Sequence, residues 1–155
     1  MGWKESRAIL MMAASFPPSD PDQHLVRVLI VDDRPQVLQD LRQLLELTGM
    51  IEIAGEARNG AEAIRLAAEL APDAIVMDLE MPGMDGYEAT RRIKSQVRTV
   101  RVIILSVHAD PEEQQRALAA GADAFVTKGA SYEVLVNAIL EKDGSSSLLN
   151  PQRGL

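Results

Sequence analysis

The chain has no cysteine. That removes a disulfide framework and any thiolate metal site from consideration, and it fits a reducing cytosol. No apolar stretch approaches the length of a membrane-spanning helix. The run Ile9-Leu10-Met11-Met12-Ala13-Ala14 is short and is ended by Phe16-Pro17-Pro18. A secretory signal needs a longer apolar region and a cleavage site, so the run reads as a leader-like extension. A signal peptide is the weaker alternative, and Met11 or Met12 an alternative start. Positive charge is not in excess either. The formal net charge of -7 disfavours charge-driven binding to nucleic acid or to an anionic membrane, although a small acidic domain is also simply soluble. Nor does a glycine-rich turn follow the first apolar run. Asp33-Arg34-Pro35 stands there, which excludes a dinucleotide-binding fingerprint.

What is present is alternation. A length of 155 residues is enough for one domain with a full core and short for two. Residues 1–24 read as an extension, with linker chemistry in Pro17-Pro18-Ser19-Asp20-Pro21-Asp22, and His24 within it is unremarkable. A domain over 25–142 follows. Residues 143–155, opening on Gly144-Ser145-Ser146-Ser147, read as a linker. Within the domain, strand-like runs are predicted at 26–31, 51–57, 74–78, 101–106 and 124–127. The first is apolar after Arg27, so both its faces should be buried. In the second, Ile51, Ile53, Gly55 and Ala57 alternate with more polar residues, as an exposed edge strand would.

Helical patterns fill the gaps between the strands. Pro35 suits a first turn, and Leu38, Leu41 and Leu45 recur at helical spacing. Asn59-Gly60 reads as a turn before a helix carrying Ile64, Ala67, Ala68 and Ala71 inward, on a small-residue face that packs close to the sheet. Helices are also expected at about 87–96, after an Asp110 cap with Pro111 first, and at about 131–141. Strict alternation with right-handed crossovers implies an α/β, flavodoxin-like, doubly wound (βα)5 three-layer sandwich. Its parallel sheet is expected in the order 2-1-3-4-5.

The strand ends carry the chemistry. Asp32 and Asp33 close the first run, Asp78 the third, Ser106 the fourth and Lys128 the fifth. Taken singly, each has an ordinary explanation: a helix cap and solvated turn, a loop cap, a backbone-bonding hydroxyl, a surface charge. Their coincidence at one edge of one parallel sheet points instead to a ligand site, since open α/β sheets bind ligands there. Crowded carboxylates need a cation, and oxygen donors suit Mg2+. Asp33 and Asp78 can ligate it, with the backbone carbonyl of Glu80, and Asp32 can orient a coordinated water. Asp78, in the middle, is the candidate nucleophile toward phosphorus. Lys128 and the Ser106 hydroxyl can then contact the phosphoryl oxygens.

These residues sit in the motifs Val-Asp-Asp (31–33), Met-Asp-Leu-Glu-Met-Pro-Gly-Met-Asp-Gly (77–86), Ile-Leu-Ser (104–106) and Ala-Gly-Ala-Asp-Ala-Phe-Val-Thr-Lys (120–128). In that order and spacing the chain resembles the receiver domain of two-component response regulators over about Val26 to Glu141. The resemblance implies that Asp78 accepts a phosphoryl group from a histidine kinase as an acyl phosphate, with Asp32 and Asp33 holding magnesium. It also implies a switch rather than an enzyme, with at most magnesium-dependent self-phosphorylation and self-dephosphorylation. By the same resemblance, the Ser106 hydroxyl is expected to be drawn toward the phosphoryl group and Phe125 to rotate into the vacated space. Cytoplasmic location, no membrane contact, a helix-mediated homodimer, and DNA only through a separate output domain complete the expectation.

Several positions depart from the common pattern. Gly129 follows the lysine where proline is frequent, which resembles the NarL/FixJ-like subgroup. Val107 is bulky beside Ser106 and restricts access. Glu80 and His108 match positions that tune hydrolysis, and solvated side chains are the plainer reading of both. Met81, Met84 and Tyr87 read as packing before partner contacts. Leu148-Leu149-Asn150-Pro151 resembles the start of a linker to a helix-turn-helix domain, so the chain is either the receiver piece of a transcription factor or a stand-alone receiver. Two further alternatives are a pseudo-receiver that only binds partners and an aspartyl-phosphate hydrolase. The second would want its nucleophile on the first strand.

Overall fold

The computed structural model describes residues 24–141. The expected extension through residue 23 and the linker over 143–155 lie outside the described residues. Five parallel strands, β1 (Val26–Val31), β2 (Ile51–Ala57), β3 (Ala74–Met77), β4 (Arg101–Ser106) and β5 (Ala124–Thr127), form one sheet in the order β2-β1-β3-β4-β5. Between and after them run α1 (Pro35–Glu46), α2 (Gly60–Leu70), α3 (Gly86–Gln96), α4 (Pro111–Ala119) and α5 (Tyr132–Leu140). The fold is the flavodoxin-like arrangement that the alternation implied.

The two-residue period of the strands divides the core into two layers. Val28, Ile30, Val76, Ile103 and Val126 face α1 and α5 with Leu41, Leu45 and Leu135. Leu29, Val31, Ile75, Met77 and Ile104 face α2, α3 and α4 with Ala63, Ala67, Ile93 and Ala117. Interior strands buried on both sides explain the unbroken apolar runs of β1, β3 and β4.

Two local expectations are corrected. The alternation in β2 does not keep one face throughout. The pairing register shifts between Val28 and Leu29, so Ile53 opposes Val28 while Gly55 opposes Leu29. That bulge sends Ile51 and Ile53 into the α1/α5 layer and Ala57 into the other. Helix α2 is rotated from its expected phase: it buries Gly60, Ala63 and Ala67, while Ala68 and Ala71 are exposed. Gly60 lies against Met84, with little room there for a side chain. The Asn59-Gly60 pair is the start of α2, with the Asn59 side chain accepting from the Glu62 N–H at 2.8 Å. Asp110 caps α4 through the Glu113 N–H, whereas Ser131 stands before α5 without a side-chain cap bond.

The loop after β3 is pinned to its strand end. The Gly86 N–H donates to the Leu79 carbonyl at 3.0 Å. A Cβ at Gly86 would lie 2.3 Å from the Asp78 backbone oxygen. At Gly55 a Cβ would meet side-chain ends, Leu70 at 2.7 Å and Leu29 at 3.6 Å, and no backbone. Backbone cannot swing aside as a side-chain tip can. Gly86→Ala should therefore lower stability in urea unfolding by about 2–3 kcal/mol, and Gly55→Ala by about 1 kcal/mol or less. Equal losses would contradict this packing.

Candidate functional site

Backbone pairing carries the ladder one residue past the ends of β1, β3 and β5, and this gathers the site. The Asp32 N–H donates to the Ala57 carbonyl, Asp78 to Val31, and Lys128 to Ser106 at 2.8 Å. Asp32, Asp33 and Asp78 thereby converge, each offering an oxygen within 4.8 Å of the others. Asp32 and Asp78 are almost wholly buried, at 1 % and 5 % exposure.

Lys128 crosses the edge and bridges the pair. Its Nζ lies 3.1 Å from Asp32 Oδ2 and 3.3 Å from Asp78 Oδ1. The second oxygen of Asp32 is also taken: the backbone N–H of Arg34 donates to Oδ1 at 2.9 Å, and Arg34 Nε at 3.3 Å. Ser106 is buried, and its Oγ accepts the His108 N–H at 3.0 Å. The hydroxyl proton has no acceptor among the described residues. Phe125 is buried, at 4 % exposure, in the layer under α4.

Burial and the charge of Asp32 push the Asp78 carboxyl up to about 6, and Lys128 and Arg34 only partly oppose them. The donor set is oxygen only, which fits a hard cation such as Mg2+ and not a soft one.

Glu80 and His108 meet each other across the mouth. His108 Nε2 lies 2.9 Å from Glu80 Oε2, and both side chains are exposed. Val107 is exposed beside them. Met81 and Tyr87 are core residues, as packing required, and Met84 packs against that core. The Tyr87 hydroxyl donates to Glu113, and Arg116 lies 4.1 Å above the Tyr87 ring. Reasoning from the sequence missed Arg34 as a member of the site, although a cation directly after the acidic pair was a usable signal. It also missed the close approach of Gly86 to Asp78, which a glycine after Met84-Asp85 does not by itself disclose.

A doubly wound sheet with acids gathered at the β1/β3 switch point defines a class of ligand-responsive α/β domains. The comparisons narrow that class. The family model described as the response regulator receiver domain matches residues 28–140. The transcriptional regulatory protein LiaR of Bacillus subtilis is 39% identical over 115 residues, covering 74% of this chain and 54% of LiaR. A two-component response regulator of the LuxR family from Aurantimonas is similar in structure, with TM-score 0.72 and 38% identity, covering 75% of this chain and 83% of that one. The signal receiver domain of the putative response regulator NarL from Mycobacterium tuberculosis also has TM-score 0.72, at 34% identity, covering 76% of this chain and 95% of that one. The chain belongs to the response regulator receiver family, on its NarL-like side. It spans 54% to 61% of the length of the curated relatives it matches. Among the described residues no helix is long and apolar enough to cross a membrane.

The raised Asp78 carboxyl has a consequence for stability. An acid bound more tightly to its proton when folded contributes fully below its unfolded value, 3.8, and that contribution is lost as pH rises through about 6. The shift corresponds to about 3 kcal/mol at pH 8. Without divalent metal, Asp78→Asn should therefore be more stable than the parent at pH 8 by up to about 3 kcal/mol, with the gap closing toward pH 4. Denaturant titrations in chelator at the two pH values check this. A variant less stable at pH 8 contradicts it.

Proposed function

We propose that residues 25–142 form a phosphorylation-controlled receiver in which Asp78 accepts a phosphoryl group from a histidine kinase. The observation that carries the reading is the bridge from Lys128 to two buried carboxylates inside a cluster of three. A structural ion pair needs one carboxylate, not three crowded ones, so the excess negative charge is there to bind something. Asp33, Asp78 and the backbone carbonyl of Glu80 would hold Mg2+, with Asp32 beside them. When bound, the metal would neutralise charge on the phosphoryl oxygens.

An Asp78 oxygen attacks phosphorus. The phosphorus–nitrogen bond of the phosphohistidine breaks, its electron pair returns to the imidazole, and the imidazole takes up a proton. Lys128 turns toward the new dianion as a point charge. The Ser106 hydroxyl gains the acceptor it lacks among the described residues. Because Ser106 Oγ also holds the His108 N–H, its movement carries the loop that leads into α4. Phe125, packed in the same layer as Ala117 of α4, fills the space released. Two states biased by one local charge are sufficient for a switch.

The activity is that of a phosphoacceptor, with at most magnesium-dependent self-phosphorylation and self-dephosphorylation. Transcriptional control through a DNA-binding domain outside this chain fits its likeness to LiaR and to a LuxR-family regulator. A cytoplasmic location and a homodimer belong to the same proposal. Acetyl phosphate with magnesium should add one base-labile phosphoryl group to the parent chain and none to Asp78→Asn. Lys128→Ala should slow the addition by roughly 100-fold, the scale for losing one donor to developing charge. Labelling of Asp78→Asn at the parental rate would overturn the assignment.

A further inference from the structure

Arg34 occupies a position that helix α1 has reason to avoid. It is the N-cap of α1, in extended conformation, and it forms no side-chain cap bond. Helix N-caps favour short polar or acidic side chains, and a cation there opposes the helix dipole. The first turn of α1 contains no acidic residue to compensate. A residue that local structure disfavours is a mark of a functional position. The side chain turns back over the end of β1, where Nε is anchored on Asp32 Oδ1. Its two terminal amino groups have no hydrogen-bond partner among the described residues, and the side chain is 55% exposed. Its charge reaches Asp78 and Asp33 as well as Asp32.

Charge counting gives this placement its meaning. Three carboxylates against Lys128 and Arg34 leave one net negative charge. A bound dication makes the site a net cation, and without Arg34 that loaded site would only be neutral. Phosphoryl donors are dianions. A planar guanidinium held at one nitrogen, with two amines turned outward, matches the paired oxygens of a phosphoryl group.

We infer that Arg34 is a donor-recognition residue, whose terminal amines receive the phosphoryl oxygens of the incoming donor at the mouth of the site while its charge opposes metal loading. The inference rests on the phosphoacceptor reading above. It predicts effects of opposite sign, which a merely structural residue does not produce. In Arg34→Gln, calorimetric titration of the metal-free protein with Mg2+ alone should show binding several-fold tighter than in the parent. The KM for acetyl phosphate at saturating Mg2+ should rise about tenfold, with little change in the maximal rate. Arg34→Lys should restore parental Mg2+ affinity, because it keeps the charge. Its KM should stay several-fold raised, because it loses the fork. The exposed side chain leaves the fold intact, which an unchanged or higher urea midpoint verifies.

Mg2+ binding and acetyl phosphate KM weakening together in Arg34→Gln would overturn the inference, as would an unchanged KM. A parent chain that accepts no phosphoryl group from acetyl phosphate would overturn the phosphoacceptor reading itself. That result is distinguishable, because it appears before any substitution at Arg34.

Discussion

The edge of the sheet depends on like charges held closer together than they would stand in water. Asp32 and Asp78 are buried side by side because consecutive ladder bonds fix their backbones, not because their side chains attract. Lys128 and Arg34 relieve part of the repulsion; burial first, and the unrelieved charge of Asp32 after it, still raise the Asp78 carboxyl. A well-packed scaffold can sustain such a cost only where it stays rigid. The two apolar layers above and below the strands provide that rigidity, and the stored repulsion is what a bound cation would discharge.

Rigidity is not uniform. Helices α1 and α5 bury several large side chains each, including Leu41, Leu45 and Leu135. Helix α4 buries Ala117 alone. It also makes polar contacts: Glu113 with the Tyr87 hydroxyl, Arg116 on the Tyr87 ring, and Gln114 with the Ala109 carbonyl. Polar contacts of this sort exchange with water at little net cost, whereas an apolar side chain leaving its pocket loses the whole burial term. The part of the fold that the proposed switch would move is thus the part held least by apolar burial.

Much of this was legible in the sequence, for identifiable reasons. Strands buried on both faces declare themselves as apolar runs, and the residue that ends each run is the first one free to be polar. That placed Asp32, Asp78 and Ser106 before any geometry was known, and Lys128 followed as the charge just past Thr127. What stayed hidden depends on relations between elements. The bulge opposite Val28 leaves the alternation of β2 intact in sequence and changes only which layer each residue enters. The face of α2 that is buried includes Gly60 against Met84, a contact between different segments. Arg34 escaped notice because its neighbours, an acidic pair and a proline, explained themselves so readily.

Strand order also explains why the side chains at this edge differ in length. Neighbouring strands stand about 4.8 Å apart. Asp78 on β3 adjoins the acidic pair on β1, so short carboxylates can meet. Lys128 follows β5, two strands from β3 and three from β1, and only a long flexible stem can bring a charge to both acids from there. Ser106 ends the intervening strand, β4, where its short hydroxyl is buried between the acids and the lysine in strand order. Short acids, a small hydroxyl and a long amine, read across the sheet in the order β1, β3, β4, β5, are the sizes that a single shared site requires of this topology. Exchanging Lys128 with either acid would leave both chemically competent and the displaced carboxylate unable to reach the other acids across two or three strands.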